Sequence, residues 1–412
     1  MVADLSKEAA SQKCRNHPRS LPSAISLDDK ESRRKLIIQA ELVVSMLPAF
    51  LHPVVAEDCL ELEKHFFTAS YESKELRSMA SAIAEKGLLF LNECGLDPGI
   101  DHMSSMRIID QEKGQGYEII GFKSYTGGVL SPESEDNPWK YKFTWNPRNV
   151  VLAGQGVSKY ITQGQYKFVP YHRLFKNLET IHFKEVGDFD GYPNRDSLSY
   201  RSIYGLENIP TMLRGTLRRA GFCESWDVFV QLGMTDDSFE MDLPEGFSMR
   251  MFTDAFLPSL AMLPVEEKIK SVLPWADATV LSKLEWLGLF SDLLLPKRKG
   301  SPAAILQAIL EEKWALKPLD KDMIVMQHQI DVKTSLGIKR IYSSLVCQGV
   351  DQEYTAMSKT VGLPLAIAIE LFLEGKIPAR GLRLPITPDF YEPILDCLEK
   401  HGIIFTEEET WI

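Results

Sequence analysis

Asp97, Asp101 and His102 lie within one short stretch, Leu91 to His102 (LNECGLDPGIDH), where an apolar run gives way to a turn and then a helical pattern. Where a buried strand ends and a helix begins, unpaired backbone N–H groups and the positive end of the helix dipole collect ligands. The same residue types also cap turns and helices, so both roles stay open for Asp97 and Asp101. Arg195, Arg214 and Arg218 have the other useful chemistry, bidentate capture of carboxylates. Against that, Arg195 has Asp196 beside it for a turn salt bridge, and Arg214 and Arg218 share a face only if the strand register holds. Ser70-Tyr71 ends a neighbouring strand, and Tyr71 suits a substrate contact or a core position. His102 suits a structural role at a helix start sooner than a catalytic one. No spacing matches a zinc site or a nucleophile triad.

The elements that must position these groups alternate between strand and helix. Strands are predicted at Val2–Asp4, Ala24–Leu27, Leu42–Leu47, His65–Ala69 and 88–91, with helices at Leu5–Cys14, from Asp28-Asp29 through Ala40, from Pro53 to Glu63, and through Leu76, Met79, Ala80 and Ile83. This pattern belongs to a doubly wound parallel sheet. Such a sheet, when it binds dinucleotides, opens with a strand, a GxGxxG turn and a helix, and its second strand ends in an acidic residue. Here the acidic strand end is already Asp4, and no GxGxxG occurs anywhere in the sequence. The expected first strand and its glycine turn are missing, so either the true start lies upstream or the chain is crippled.

From Tyr117 the pattern changes. Strands are predicted at Tyr117–Tyr125, ended by Gly127-Gly128, at Tyr141–Trp145 by alternation, at Thr211–Arg219, Met323–Val332 and Arg340–Cys347. The resulting fold class is α/β: a variant Rossmann sheet, a mixed and largely antiparallel substrate domain, and an inserted helical subdomain. The expected boundaries are 1–100 for the dinucleotide-binding domain, joined by 356–412; 101–221 and 319–355 for the substrate domain; and 222–318 for the helical subdomain.

Composition bounds the partners. Asp plus Glu number 57 against 46 Lys plus Arg, a formal net charge of −11 over 412 residues, which disfavours nucleic acid and anionic membrane surfaces. Six scattered cysteines without a CxxC pair suit reduced thiols. The apolar run Val361–Ile369 is short of the ~20 residues that span a bilayer, and the helix from Ala356 to Phe372 is expected to be buried. A cytoplasmic protein with no nucleic-acid or membrane partner is expected, and a homodimer is left open.

Six motifs in order carry a resemblance: GLDPGIDH (95–102), SYxGG (Ser124–Gly128), DNPxxYKFxW (Asp136–Trp145), YPNRDS (Tyr192–Ser197), RGTLR (Arg214–Arg218) and TAMxKTVGxP (Thr355–Pro364). Together they resemble the glutamate-forming saccharopine dehydrogenases, also called saccharopine reductases. The resemblance implies NADP- or NAD-dependent interconversion of saccharopine with glutamate and 2-aminoadipate 6-semialdehyde in lysine metabolism. It implies cofactor contacts at Asp4, Leu5, Ser6, Asp28, Asp29, Leu47, Ala69, Ser70, Leu96, Asp97, Pro98 and Val150. It also implies substrate contacts at Ser70, Tyr71, Arg195 and the Gly215-Thr216-Leu217-Arg218 segment. Saccharopine has three carboxylates for cationic anchors, and its amine must lose a proton before hydride leaves the adjacent carbon; Asp97 and Tyr71 are the candidates for that acid–base work.

Two departures follow. Thr126 stands where the family commonly has Cys, so no thiol role transfers. Asp4-Leu5 replaces the Arg of NADP-using members, and a carboxylate there favours NAD, with Ser6 and Lys7 as the reservation. Two other readings stay open: an inactive member binding an amino acid or a partner, and a related amine-forming dehydrogenase such as one making carboxynorspermidine.

Overall fold

The computed structural model describes residues 1–260 and 263–412. They form two compact units, 1–103 with 361–397, and 104–360 with 398–412.

In the first unit, four parallel strands run in the order Gly381–Arg383, Leu89–Leu91, His65–Phe67, Leu42–Val44. A separate parallel pair joins Val2–Asp4 to Pro22–Ala24. Leu89, Phe90 and Leu91 are fully buried, as a strand covered on both faces requires. The helices between strands start on side-chain caps: Ser6 accepts from Ala9 N, Asp29 from Ser32 N and Ser73 from Leu76 N. This is the predicted Rossmann-like α/β arrangement, with its parallel strands in two pieces. The strands predicted at Leu42–Leu47 and His65–Ala69 end early, at Val44 and Phe67, and two further elements shift. The second strand is Pro22–Ala24 because the chain turns at Ser26, whose carbonyl accepts from Asp29 N. The predicted helix through Leu76 and Ile83 is two, Lys74–Ser78 and Ala80–Glu85.

The second unit is built on a nine-stranded mixed sheet in the order Phe405–Trp411, Gly337–Gln348, Asp322–Thr334, Glu118–Leu130, Met212–Arg219, Gly187–Pro193, Glu179–Phe183. The hairpin Val157–Thr162 and Gln165–Pro170 attaches to the Met212–Arg219 strand. Only the pairing of Glu118–Leu130 with Met212–Arg219 is parallel. The glycines expected to end the strand at Tyr125 lie inside it. A Cβ on Gly127 would stand 2.6 Å from Leu217 O, and one on Gly128 2.8 Å from Met357 Cε, so glycine there permits close approach of neighbours rather than a break.

The predicted strand at Tyr141–Trp145 is irregular. Tyr141, Lys142, Phe143 and Thr144 are all buried, so the alternation in the sequence is not one of exposure. Lys142 goes inside because Asp136 (2.8 Å) and Asp320 (2.6 Å) hold its ammonium. Helices at Phe222–Leu232, Met249–Asp254, Val265–Val272, Ala278–Trp286 and Pro302–Lys313 pack around Trp139, Trp226, Phe229 and Trp314. The ring of Trp139 stacks on Phe229 at 5.8 Å and meets Trp314 edge-on at 5.3 Å. Aromatic pairs of this kind contribute about 0.5–1.5 kcal/mol each beyond their buried area.

The helix Ala356–Leu373 is longer than its apolar run suggested. It is long and apolar enough, by length and composition alone, to cross a membrane, as core helices of globular proteins also can be. It is also less buried than its pattern predicts, with Ala366 and Leu373 exposed. Asp322 anchors its start, accepting hydrogen bonds from the N–H groups of Ala356 (2.5 Å) and Met357 (2.9 Å).

Candidate active site

Three strand ends of the first unit carry a connected set of polar side chains. Past Leu42–Val44, Ser45 Oγ lies 2.7 Å from His52 Nδ1, and His52 Nε2 lies 2.7 Å from Ser70 Oγ, past His65–Phe67. Burial holds the His52 ring below the ordinary imidazole range, so it is neutral and donates to one serine while accepting from the other. Next to Ser70, the Tyr71 hydroxyl donates to Asp97 Oδ1 at 3.3 Å. Past Leu89–Leu91, Glu93 Oε1 accepts from Glu72 N at 3.0 Å and Glu93 Oε2 lies 2.8 Å from His102 Nε2.

The turn that presents Asp97 is tightly wound. Gly95 N donates to Pro98 O, Ile100 N to Gly95 O, and Gly99 N to Asp101 Oδ1 at 2.6 Å. Gly99 sits at φ +147°, with Gly95 backbone atoms where a Cβ would be, so only glycine fits there. Leu96 and Pro98 are buried while Asp97 between them is half-exposed. Asn92, fully buried beside this turn, has neither side-chain amide atom hydrogen-bonded, which marks a place for a polar ligand group. Burial pushes the nearby Cys94 thiol up to about 12, so it is an inert core thiol.

In the second unit, the Met212–Arg219 strand turns Arg214, Thr216 and Arg218 to one face and Leu213, Gly215 and Leu217 to the other. Arg218 is 4% exposed, with its guanidinium 5.5 Å from the Tyr141 ring and 5.7 Å from the Phe222 ring. Its Nη1 donates to Leu217 O at 3.0 Å, its Nε has no hydrogen-bond partner, and among the described residues no carboxylate lies within ion-pairing distance. Asp190, opposite it in the ladder, accepts instead from Gly221 N. A buried cation left in this state calls for an anionic ligand, because isolated charge away from water is costly. The hydroxyls of Thr126 and Thr144 are also buried and unpartnered.

The predicted site residues divide accordingly. Ser70, Tyr71, Ala69, Leu96, Asp97 and Pro98 come together in the first unit. Asp4, Leu5, Ser6, Asp28 and Asp29 are exposed at the ends of the parallel pair; Asp4 Oδ1 accepts from Ser6 N at 2.9 Å. Leu47 packs against the small apolar core of that unit. Arg218 belongs to the second unit, as does exposed Arg195, which sits at φ 42°; its neighbour Asp196 has a carboxylate oxygen 3.4 Å from Lys159 Nζ. Arg214 is buried over the Tyr200 ring at 4.1 Å.

Three carried-over residues are placed differently from their neighbours. Leu217 lies in the apolar cluster with Tyr125, Val129, Met323 and Val325, and Gly215 faces the Tyr125 ring, so only their backbone accompanies Arg218. Val150 is 3% exposed in the aromatic core. Sequence reasoning missed Ser45, His52, Asn92 and Glu93. The one signal was their place within three residues of a strand end or, for His52, just before the helix-starting Pro53.

Comparison with known proteins gives a consistent answer. Residues 1–91 match the saccharopine dehydrogenase NADP binding domain and residues 95–403 the saccharopine dehydrogenase C-terminal domain. The chain is 34% identical over 397 residues to saccharopine dehydrogenase (NADP(+), L-glutamate-forming) of Saccharomyces cerevisiae, covering 93% of this chain and 88% of that one. It is also 34% identical over 399 residues to the mitochondrial alpha-aminoadipic semialdehyde synthase of Mus musculus, covering 94% of this chain. Only 43% of that relative is covered, so the chain spans about two-fifths of its length. Among solved structures, apo saccharopine dehydrogenase (L-Glu forming) from Saccharomyces cerevisiae superposes with a TM-score of 0.90 at 30% identity, over 99% of this chain and 93% of that one. Homospermidine synthase from Legionella pneumophila, at 10% identity and a TM-score of 0.51, shares the fold.

Proposed function

The chain belongs to the saccharopine dehydrogenase family, and we propose that it catalyses NAD(P)-dependent oxidative cleavage of saccharopine to L-glutamate and 2-aminoadipate 6-semialdehyde, or the reverse condensation. The observation that carries this reading is Arg218, a buried guanidinium without a carboxylate partner, which a substrate carboxylate would complete.

A bound pyridine nucleotide supplies the hydride acceptor. The residues present fit part of such a group: an acidic strand end at Asp4, the Ala69-Ser70 and Leu96-Asp97-Pro98 rims, and the unpartnered amide of buried Asn92. The glycine turn that cradles a pyrophosphate has no counterpart in the sequence. Tyr71 and Asp97 hold and return the proton of the substrate's secondary amine and later activate water against the imine; their 3.3 Å contact lets one group relay to the other. Ser70, fixed by His52, orients the substrate beside Tyr71, and Arg195 and Arg218 anchor carboxylates. In this proposal Asp4 favours NAD, since a carboxylate repels a 2′-phosphate, although the yeast relative's name specifies NADP(+).

The test is nicotinamide reduction with saccharopine, using NAD and NADP, by this chain and by one extended upstream with a strand, a glycine-rich turn and a helix. Saccharopine-dependent reduction by either form supports the proposal. Reduction by neither, with both folded, removes the enzyme reading and leaves that of an amino-acid-binding or partner-binding protein.

A further inference from the structure

Glu93 lies just past the strand Leu89–Leu91 in a left-handed backbone conformation, φ 56°, which few residues with a side chain adopt. Its side chain is almost wholly buried, at 4% exposure. An ionised carboxylate at such depth persists only where hydrogen bonds compensate it. Glu93 has two, and they lead to different segments. Oε1 accepts from Glu72 N at 3.0 Å, in the loop that carries Ser70 and Tyr71. Oε2 lies 2.8 Å from Nε2 of His102, in the first turn of the helix Ile100–Gly114 that follows Asp97. The backbone adds a third tie, Glu93 N donating to Ser70 O at 3.0 Å.

The groups around this carboxylate are themselves held. The Glu72 carboxylate, itself largely buried, pairs with Arg77 Nε at 2.6 Å, while its backbone N–H goes to Glu93. Asp101 keeps Oδ1 on Gly99 N at 2.6 Å, and its Oδ2 stands 3.7 Å from His102 Nδ1, on the other side of the ring. One carboxylate therefore spans the two loops that leave neighbouring strands, beside the backbone bond from Glu93 N to Ser70 O. Those loops bring the Tyr71 hydroxyl to 3.3 Å from Asp97 Oδ1. That distance is longer than the roughly 2.5–3.0 Å of an ordinary O–H···O bond, so a small shift of either loop makes or breaks it.

We propose that Glu93 is a positioning residue, whose carboxylate, shared between the Glu72 N–H and the His102 ring, sets the spacing of Tyr71 and Asp97. This rests on the reading of those two residues as the proton-handling pair. A merely structural role would make any loss follow stability. A brace makes the loss follow span, because Glu93→Gln keeps the length of the side chain, an oxygen for Glu72 N and an NH2 that can donate to His102 Nε2 in the ring tautomer with its proton on Nδ1.

The experiment compares Glu93→Ala and Glu93→Gln with the unvaried protein by hydrogen–deuterium exchange of peptides covering 70–72 and 95–102. Steady-state kinetics follow in whichever form of the protein reduces the nucleotide. Glu93→Ala is expected to speed exchange in both peptides and to lower kcat by roughly 100-fold, the order expected for a displacement of about 1 Å, with the KM for the nucleotide unchanged. Glu93→Gln is expected to restore both. Unchanged exchange in Glu93→Ala, or a Glu93→Gln variant as impaired as Glu93→Ala, would overturn the proposal. Should the unvaried protein reduce no nucleotide, the functional reading fails, and the exchange comparison still decides the brace.

Discussion

The hydroxyl of Tyr71 stands 3.3 Å from Asp97 Oδ1 although the two residues are 26 apart in the chain. The strand His65–Phe67 delivers one and the turn after Leu89–Leu91 delivers the other, because those strands are hydrogen-bonded neighbours and their carboxyl ends open on the same side. Proton transfer through this pair is the first consequence to test.

Tyr71→Phe and Asp97→Asn are each expected to lower kcat for saccharopine oxidation by about 100- to 10,000-fold, the usual contribution of a positioned acid–base group. Because the two act as one relay, the double variant should be little worse than the weaker single one. Losses that multiply in the double variant would show that the residues work separately.

Arg218→Met separates stability from binding. The change removes a buried cation that has no carboxylate partner and keeps an apolar stem among Tyr141 and Phe222, so the melting temperature should hold or rise. Stabilisation by added saccharopine should vanish, since removing one partner of a buried charged contact typically costs about 2–5 kcal/mol of binding. Thermal unfolding with and without saccharopine reads both. A variant that melts far lower and still responds to saccharopine would sink the assignment.

Asp4→Ala should shift the preference toward NADP, read as the ratio of kcat/KM for the two nucleotides in an active form of the protein. The exposed carboxylate is turned to Ser6 N and stands at the end of its strand, where it would meet the ribose. No change in that ratio would remove Asp4 from the cofactor site.

Asp136 carries a pH signature. Hydrogen bonds from Lys142 and Lys317 pull its carboxyl down to about 2. The unfolded chain, with an ordinary carboxyl near ~3.9, binds more protons between those two values, so the stabilisation is complete above the unfolded value and is lost as pH falls through the folded one. Asp136→Asn should therefore be less stable than the unvaried protein at neutral pH. Solvent screening of this part-exposed group limits the difference to about 1 kcal/mol. Denaturant midpoints measured down to acid pH should converge. A gap that stays constant into the acid range would show that the loss comes from packing, not charge.

The elements with strong local codes were legible from residue order. Val2–Asp4 is the strand expected, and Met212–Arg219, Asp322–Thr334 and Gly337–Gln348 each contain the predicted span or match it to within one residue. Their apolar periodicity is a property of neighbours in the chain. Patterns that depend on what sits opposite misled. Gly127 and Gly128 look like a strand breaker until Leu217 and Met357 are seen against them. Lys142 looks like the outward residue of an alternating strand until Asp320, 178 residues away, is found holding it inside.

By itself the sequence determined the α/β class and the family motifs, and it named Ser70, Tyr71, Asp97, Arg195 and Arg218 as candidates, because residue type and local periodicity are carried by adjacent positions. Only the tertiary structure decided which of them stand in which surroundings. It set Tyr71 against Asp97, joined Ser45, His52 and Ser70, braced Glu72 to His102 through Glu93, and buried Arg218 without a counter-charge. Hydrogen bonds between strand ends and the desolvation of a guanidinium arise from segments distant in the chain, and no spacing along it encodes them.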